Sequence, residues 1–94
     1  MPAAIDLESS FSVPNEVMSR LVDDETVLLD LASGIYFGLD GVGQRIWEIV
    51  AAGQTAGQIA AIIANEYEVD DTRAQTDVVE FLGELLERGL LLTI

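Results

Sequence analysis

Residues 26–40 read Thr-Val-Leu-Leu-Asp-Leu-Ala-Ser-Gly-Ile-Tyr-Phe-Gly-Leu-Asp. The aliphatic run Val27–Leu31 has the side chains of a strand. Ala32-Ser33-Gly34 is a short connection, and Gly34 supplies the positive φ that a tight reversal needs. Ile35–Leu39 then alternates, with Ile35, Phe37 and Leu39 on one face and Tyr36 and Gly38 on the other. The two runs form a β-hairpin. Gly38 is a weak strand former and predicts close approach by another backbone. Asp40 is a good helix N-cap, so the hairpin feeds a helix.

Upstream of the hairpin the pattern is weaker. Residues 1–12 lack a sustained period and read as a flexible N-terminal arm with a short strand near its end, which places the domain at residues 13–94. Pro14-Asn15 is a turn signal, Val17–Val22 a short strand, and Asp23-Asp24 a second turn. Downstream, Val42, Ile46, Ile49 and Val50 fall at helical spacing with Trp47 beside them, and Gly53 ends that helix. Thr55 and Gln58 make a capping-box pattern for a second helix with Ile59, Ile62, Ile63 and Tyr67 on its apolar face. Asp70-Asp71 and Thr72 open a third, with Thr72 and Gln75 again at capping-box spacing, and Gly89 stops it. Leu90–Ile94 reads as a short terminal strand or a packed tail. The predicted fold is α+β and winged-helix-like: a small three-stranded antiparallel sheet followed by a three-helix bundle.

The third helix carries more apolar surface than one packing face requires. On a helical wheel Ala74, Val78, Phe81 and Leu85 form the expected core stripe. Leu82, Leu86 and Val79 widen the apolar arc to about 160°, against the ~100° of an ordinary surface helix. Asp77, Glu80, Glu84 and Glu87 hold the opposite side. The extra arc, Val79-Leu82-Leu86 with Gly83, is expected either to wall a groove or to pack on the sheet. A strand edge beside such a helix suits β-augmentation, in which backbone bonds give affinity and flanking pockets give specificity.

Composition narrows the function. The chain has 94 residues, enough for one domain, and half of them are apolar. It contains no His, Cys or Lys, and seventeen acids face four arginines, giving a formal charge of −13. Such a chain is repelled by nucleic acids and anionic membranes. No apolar run is long enough to span a bilayer and no signal peptide is visible, which leads us to expect a cytoplasmic protein. The serines have no His for a triad, and Gly41-Val42-Gly43 lacks the Walker lysine, so it is read as a helix start. Asp23, Asp24 and Glu25 do not match an oxygen-ligand loop. A binding module without cofactor or metal is expected, not an enzyme. Arg45 and Arg73 are expected to pair within the chain, and Trp47, Phe37 and Leu39 to serve mainly the core.

An ordered series of residues goes further. Leu28-Leu29-Asp30, Gly34, Tyr36, Leu39-Asp40, Gly43 and Ile46-Trp47 resemble the front half of the PqqD-like family. Ile59, Tyr67, Asp77-Val78, Phe81-Leu82, Leu85 and Gly89-Leu90 resemble its back half. The resemblance implies a RiPP recognition element, a small domain that binds the leader of a ribosomally made precursor peptide and presents it to modifying enzymes. It implies that the leader adds as a strand in the cleft between the third strand and the third helix. Carried onto this chain, the peptide-binding residues are Ile35, Tyr36, Phe37, Gly38 and Leu39 on the strand, and Gln75, Val79, Leu82, Gly83 and Leu86 on the helix. The hairpin is similar to the lasso-peptide type, whose partners are a leader peptidase and a macrolactam synthetase. A PQQ-biosynthesis peptide chaperone working with a radical SAM enzyme is the alternative within the family. Outside it stand an acidic winged-helix regulator, a carrier protein (for which the chain lacks an Asp-Ser pair) and a homodimer through the sheet edge.

Overall fold

The computed structural model describes residues 5–94. Its elements run β1 Phe11–Ser12, β2 Val17–Val22, β3 Glu25–Asp30, β4 Ile35–Leu39, α1 Gly41–Ala51, α2 Ala56–Tyr67, α3 Asp71–Glu87 and β5 Leu92–Thr93. The expected α+β architecture is present: β2, β3 and β4 form an antiparallel three-stranded sheet in that order, with three helices after it.

Register places the core. Leu28 on the middle strand pairs with Ser19 on β2 and Phe37 on β4, and none of its surface is exposed. Paired residues share a face. Val17, Thr26, Leu28, Phe37 and Leu39 therefore turn toward the helices, while Met18, Val22, Val27, Leu29 and Tyr36 turn away. The β3–β4 reversal is locked by Asp30. Its carboxylate accepts from the Ala32 N–H at 3.1 Å and from the Ser33 hydroxyl at 3.0 Å, and its carbonyl accepts from the Gly34 N–H at 2.8 Å. Gly34 has φ +75°, the left-handed conformation read from the sequence. Gly38 does not meet a second backbone. The nearest atom to a Cβ built there is the Glu25 Oε2, at 3.8 Å, because β4 is an edge strand with only β3 beside it.

The helices are capped by local chemistry. Asp40 stands at the α1 N-cap in extended conformation but makes no side-chain cap bond. The α2 capping box forms as expected: the Thr55 Oγ1 accepts from the Gln58 N–H at 3.2 Å, and the Gln58 Oε1 accepts from the Thr55 N–H at 2.8 Å. The matching pattern at Thr72 and Gln75 does not form a box. Asp70 is the cap and accepts from the Thr72 and Arg73 N–H groups at 3.1 and 3.3 Å, so Thr72 already lies inside α3. Ile46, Trp47, Ile59, Ile63, Val78 and Leu85 carry the core between the helices. Tyr67, expected on the apolar face of α2, is exposed at the helix end.

Residues 1–4 of the expected flexible arm lie outside the described residues. The rest of that segment runs over the bundle. Phe11 is buried, and β1 pairs antiparallel with β5 through Phe11–Thr93 and Ser12–Leu92. Before it, the Ser9 carbonyl accepts from the Ala56 N–H at 3.0 Å and the Leu7 carbonyl from the Gly57 N–H at 2.8 Å. These are first-turn donors of α2, which have no partner within the helix. The strap approaches so closely that a Cβ at Gly57 would lie 2.9 Å from the Leu7 oxygen.

Alanine for glycine within a helix ordinarily adds up to about 1 kcal/mol. Here Gly57→Ala should reverse that sign and destabilise by about 1–2 kcal/mol, because the strap must move and its hydrogen bond is lost. Thermal denaturation checks this, and a raised Tm would contradict it.

Candidate peptide-binding cleft

Among the described residues β4 is the last strand of the sheet, and one row of its backbone groups has no partner strand there. Unpaired edges of this kind template the addition of another strand. Beside the C-terminal half of β4 the surface opens into a cleft of about 390 Å3. Gly38, Leu39 and Asp40 form its strand side, Val42, Gly43 and Ile46 of α1 its floor, and Asp77 and Phe81 its α3 wall. The Phe81 ring packs close over Gly43, 3.3 Å from where a Cβ would stand. Further along the strand the Arg88 guanidinium sits over the Phe37 ring, 4.9 Å from its centroid. Such a cation–π contact stabilises by about 0.5–1 kcal/mol at an exposed position. α3 thus flanks β4 along its length, with its end beside Phe37 and its middle beside Leu39.

The sequence-predicted strand residues lie together on this edge. Leu39 and Phe37 are half-buried, resting on the core with one side toward α3, and Gly38 lines the cleft. Ile35 and Tyr36 are exposed, Tyr36 at 71%. The helix residues fall elsewhere. Leu82 has no exposed surface and is a core residue. A Cβ at Gly83 would meet the Ile5 side chain of the N-terminal strap at 3.9 Å. Val79 and Leu86 are half-buried, Leu86 against the core, and Gln75 is exposed, but none of these five lines the cleft. Phe81, expected in the core stripe, is half-buried and lines this cleft, and Leu82, expected on the groove, is in the core. The buried stripe is Ala74, Val78, Leu82 and Leu85, a rotation of the helix that turns Phe81 toward β4. Of the extra apolar arc, Leu82 and Leu86 go to the core and Gly83 lies beside the strap, while Val79 is half-buried.

Sequence reasoning therefore missed Asp77, Phe81 and Arg88 as the strand-facing flank of α3. The signal was present in their spacing of four and seven residues, which stacks them on one helix face. It was masked because Phe81 lies within the same apolar arc as the core.

Charge in the cleft is carried by Asp40 and Asp77 at one end and Arg88 toward the other. Arg73 pairs with Asp77 at 3.6 Å along α3. Arg45 reaches Glu66 with two short bonds of 2.8 and 2.7 Å and Glu48 at 3.3 Å, tying α1 to α2 outside the cleft. The hydrogen bond to Glu66 raises the Arg45 pKa above its ordinary value, and the reciprocal bond from Arg45 holds the Glu66 carboxyl below its own.

These features define a small α+β peptide-edge domain of the RiPP recognition element type. The chain belongs to the PqqD family: the family model described as coenzyme PQQ synthesis protein D matches residues 25–91. Three solved structures share the fold. TbiB1 in complex with the TbiA(beta) leader peptide is 41% identical, with TM-score 0.81 over 85% of this chain and 93% of that one. A lasso peptide synthetase B1 complexed with the leader peptide is 30% identical, with TM-score 0.83 over 88% and 98%. The PqqD truncation of PqqCD from Methylobacterium extorquens, described as a functional and stand-alone RiPP recognition element, is 25% identical, with TM-score 0.78 over 97% of each chain. No curated protein matches the chain. Among the described residues no helix is long and apolar enough to cross a membrane.

Two outcomes follow from this geometry. Leu82→Ala should cost about 2–5 kcal/mol of stability, as expected of a fully buried leucine, and Leu82→Asp should abolish the folded circular-dichroism spectrum. The Arg45–Glu66 pair stabilises above the usual carboxylate range, because the folded Glu66 pKa is lowered, and that contribution is lost as pH falls through it. Arg45→Gln should therefore lower Tm near neutral pH and have a smaller effect in acid, read from Tm against pH.

Proposed function

We propose that this chain is a non-catalytic adaptor that captures the leader segment of a ribosomally made precursor peptide. The leader adds to β4 as a further strand, and its side chains on the core-facing side enter the cleft against Phe81. The observation that carries this reading is the free β4 edge lying beside an open cleft walled by α3. Support comes from the two relatives whose structures hold a leader peptide on the same fold. The chain's want of His, Cys and Lys agrees with a role in binding.

Within the family we favour delivery to the enzymes of lasso-peptide assembly, a leader peptidase and a cyclase, in the cytoplasm. The identity of 30% to the lasso peptide synthetase B1 against 25% to the PqqD truncation supports this choice. Handover to a radical SAM enzyme of PQQ synthesis is the second reading, which the family match supports.

Strand addition supplies affinity through backbone bonds, so side-chain changes act by degrees. Phe81→Ala should weaken leader binding about tenfold while the fold persists, since Phe81 is partly exposed and forms the wall rather than the centre of the core. Isothermal titration with the TbiA(beta) leader and with leader peptides encoded beside this gene is the test. Absence of heat with every leader, on a folded monomeric sample, would remove the adaptor reading.

A further inference from the structure

The sheet has a second free edge. β2 lies at the opposite side from β4, with only β3 beside it. It repeats the arrangement of the peptide edge in a different chemistry. On the core side a groove of about 350 Å3 runs between β2 and α1, and its walls include Leu21, Thr26, Gln44 and Trp47. On the outer side a second, more apolar groove of about 450 Å3 is lined by Met18, Val22, Val27 and Leu29. A strand added to β2 would project alternate side chains to its two faces. A groove awaits each set.

β2 is unusually apolar for an edge. Leu21 is 67% exposed and Met18 56%, and Val22 is exposed as well. Natural edges are usually guarded by charge. The one charged residue of this strand is Arg20, which borders both grooves. Among the described residues Arg20 has no ion-pair partner, although the chain carries seventeen acids, and the other pairs formed involve Arg45 and Arg73. Arg20 is left without an internal ion pair between the two grooves, and Glu48, which also lines the core-side groove, is engaged by Arg45 at 3.3 Å.

We propose that β2 is a second strand-accepting edge, filled by an extended apolar segment of a partner protein that places a carboxylate against Arg20. A second copy of this chain fits less well. It brings a further −13 of charge, and the symmetric antiparallel register centred on Arg20 sets guanidinium against guanidinium. The β4 edge differs in carrying both signs, with Asp40 and Asp77 in its cleft and Arg88 over Phe37. Assigning the β2 strand to a modifying enzyme rests on the adaptor reading above. An adaptor has to hold peptide and enzyme together, and β3 keeps the two edges apart.

The test uses the full isotope-labelled chain and two blocked peptides of alternating valine and threonine, identical except for Asp or Lys at the centre. The Asp peptide should shift and protect the amides of Met18–Val22 and leave Ile35–Leu39 unchanged. Arg20→Glu should weaken the Asp peptide about fivefold and turn the preference toward Lys. Leu21→Glu, at an exposed position that the fold tolerates, should abolish both responses. The proposal is overturned by absence of any response at β2, by a response that ignores the central charge, or by a dimer in sedimentation that Leu21→Glu dissolves. The TbiA(beta) leader, titrated into the same sample, reports separately on Ile35–Leu39. Absence of a response at Ile35–Leu39 with every leader sinks the adaptor reading, and loss of the β2 response alone sinks this one.

Discussion

Leu28 sits on the middle strand with Ser19 to one side and Phe37 to the other, and no part of it reaches solvent. The rest of the molecule depends on that burial. Side chains alternate along a strand, so a slip of one residue would turn Leu28 outward and with it Thr26, Phe37 and Leu39. The same register decides that Phe37 and Leu39 face α3 and that Tyr36 and Gly38 face away. It also decides that Met18, Val22, Val27 and Leu29 are left on the uncovered face. A three-stranded sheet that spends one face on its helices leaves two edges and one face uncovered among the described residues, and the uncovered face carries Met18, Val22, Val27 and Leu29.

The elements were legible where the chemistry is local. The hairpin could be read because Asp30, Ser33 and Gly34 build the reversal from adjacent residues. The α2 start could be read because both halves of its capping box lie within four residues. The edge strand of the site was legible for the same reason. The helix wall was not. A wheel shows which residues share a face but not how the helix is turned against the sheet, and a rotation of one position separates Phe81 from Leu82. The packed strap had no signal at all. Nothing around Leu7 or Ser9 announces that their carbonyls serve the first turn of a helix some fifty residues on. The expected box at Thr72 failed because Asp70 offered a stronger acceptor two residues earlier.

Charge and apolar surface divide the work between them. Nearly all the acids are exposed, most of them on turns and outer helix faces. Exposed ion pairs contribute little to stability. The Arg45–Glu66 pair is more useful as a tie that sets α1 against α2, and α1 supplies the floor of one cleft and the wall of the other. Of the remaining cations, Arg88 stands on the peptide edge and Arg20 on its opposite, so the scarce positive charge is concentrated where strands would arrive.

The pairing of β1 with β5 has a topological consequence. Phe11 and Thr93 are neighbours across a strand pair, and the Ile94 N–H donates to the Ser10 carbonyl at 3.0 Å. Residues 10–12 and 92–94 are thus held side by side. A short linker could join them and the chain be opened elsewhere, for instance between α1 and α2, without disturbing the sheet. The pair works as a clasp: fraying of either strand leaves the backbone groups of the other without partners.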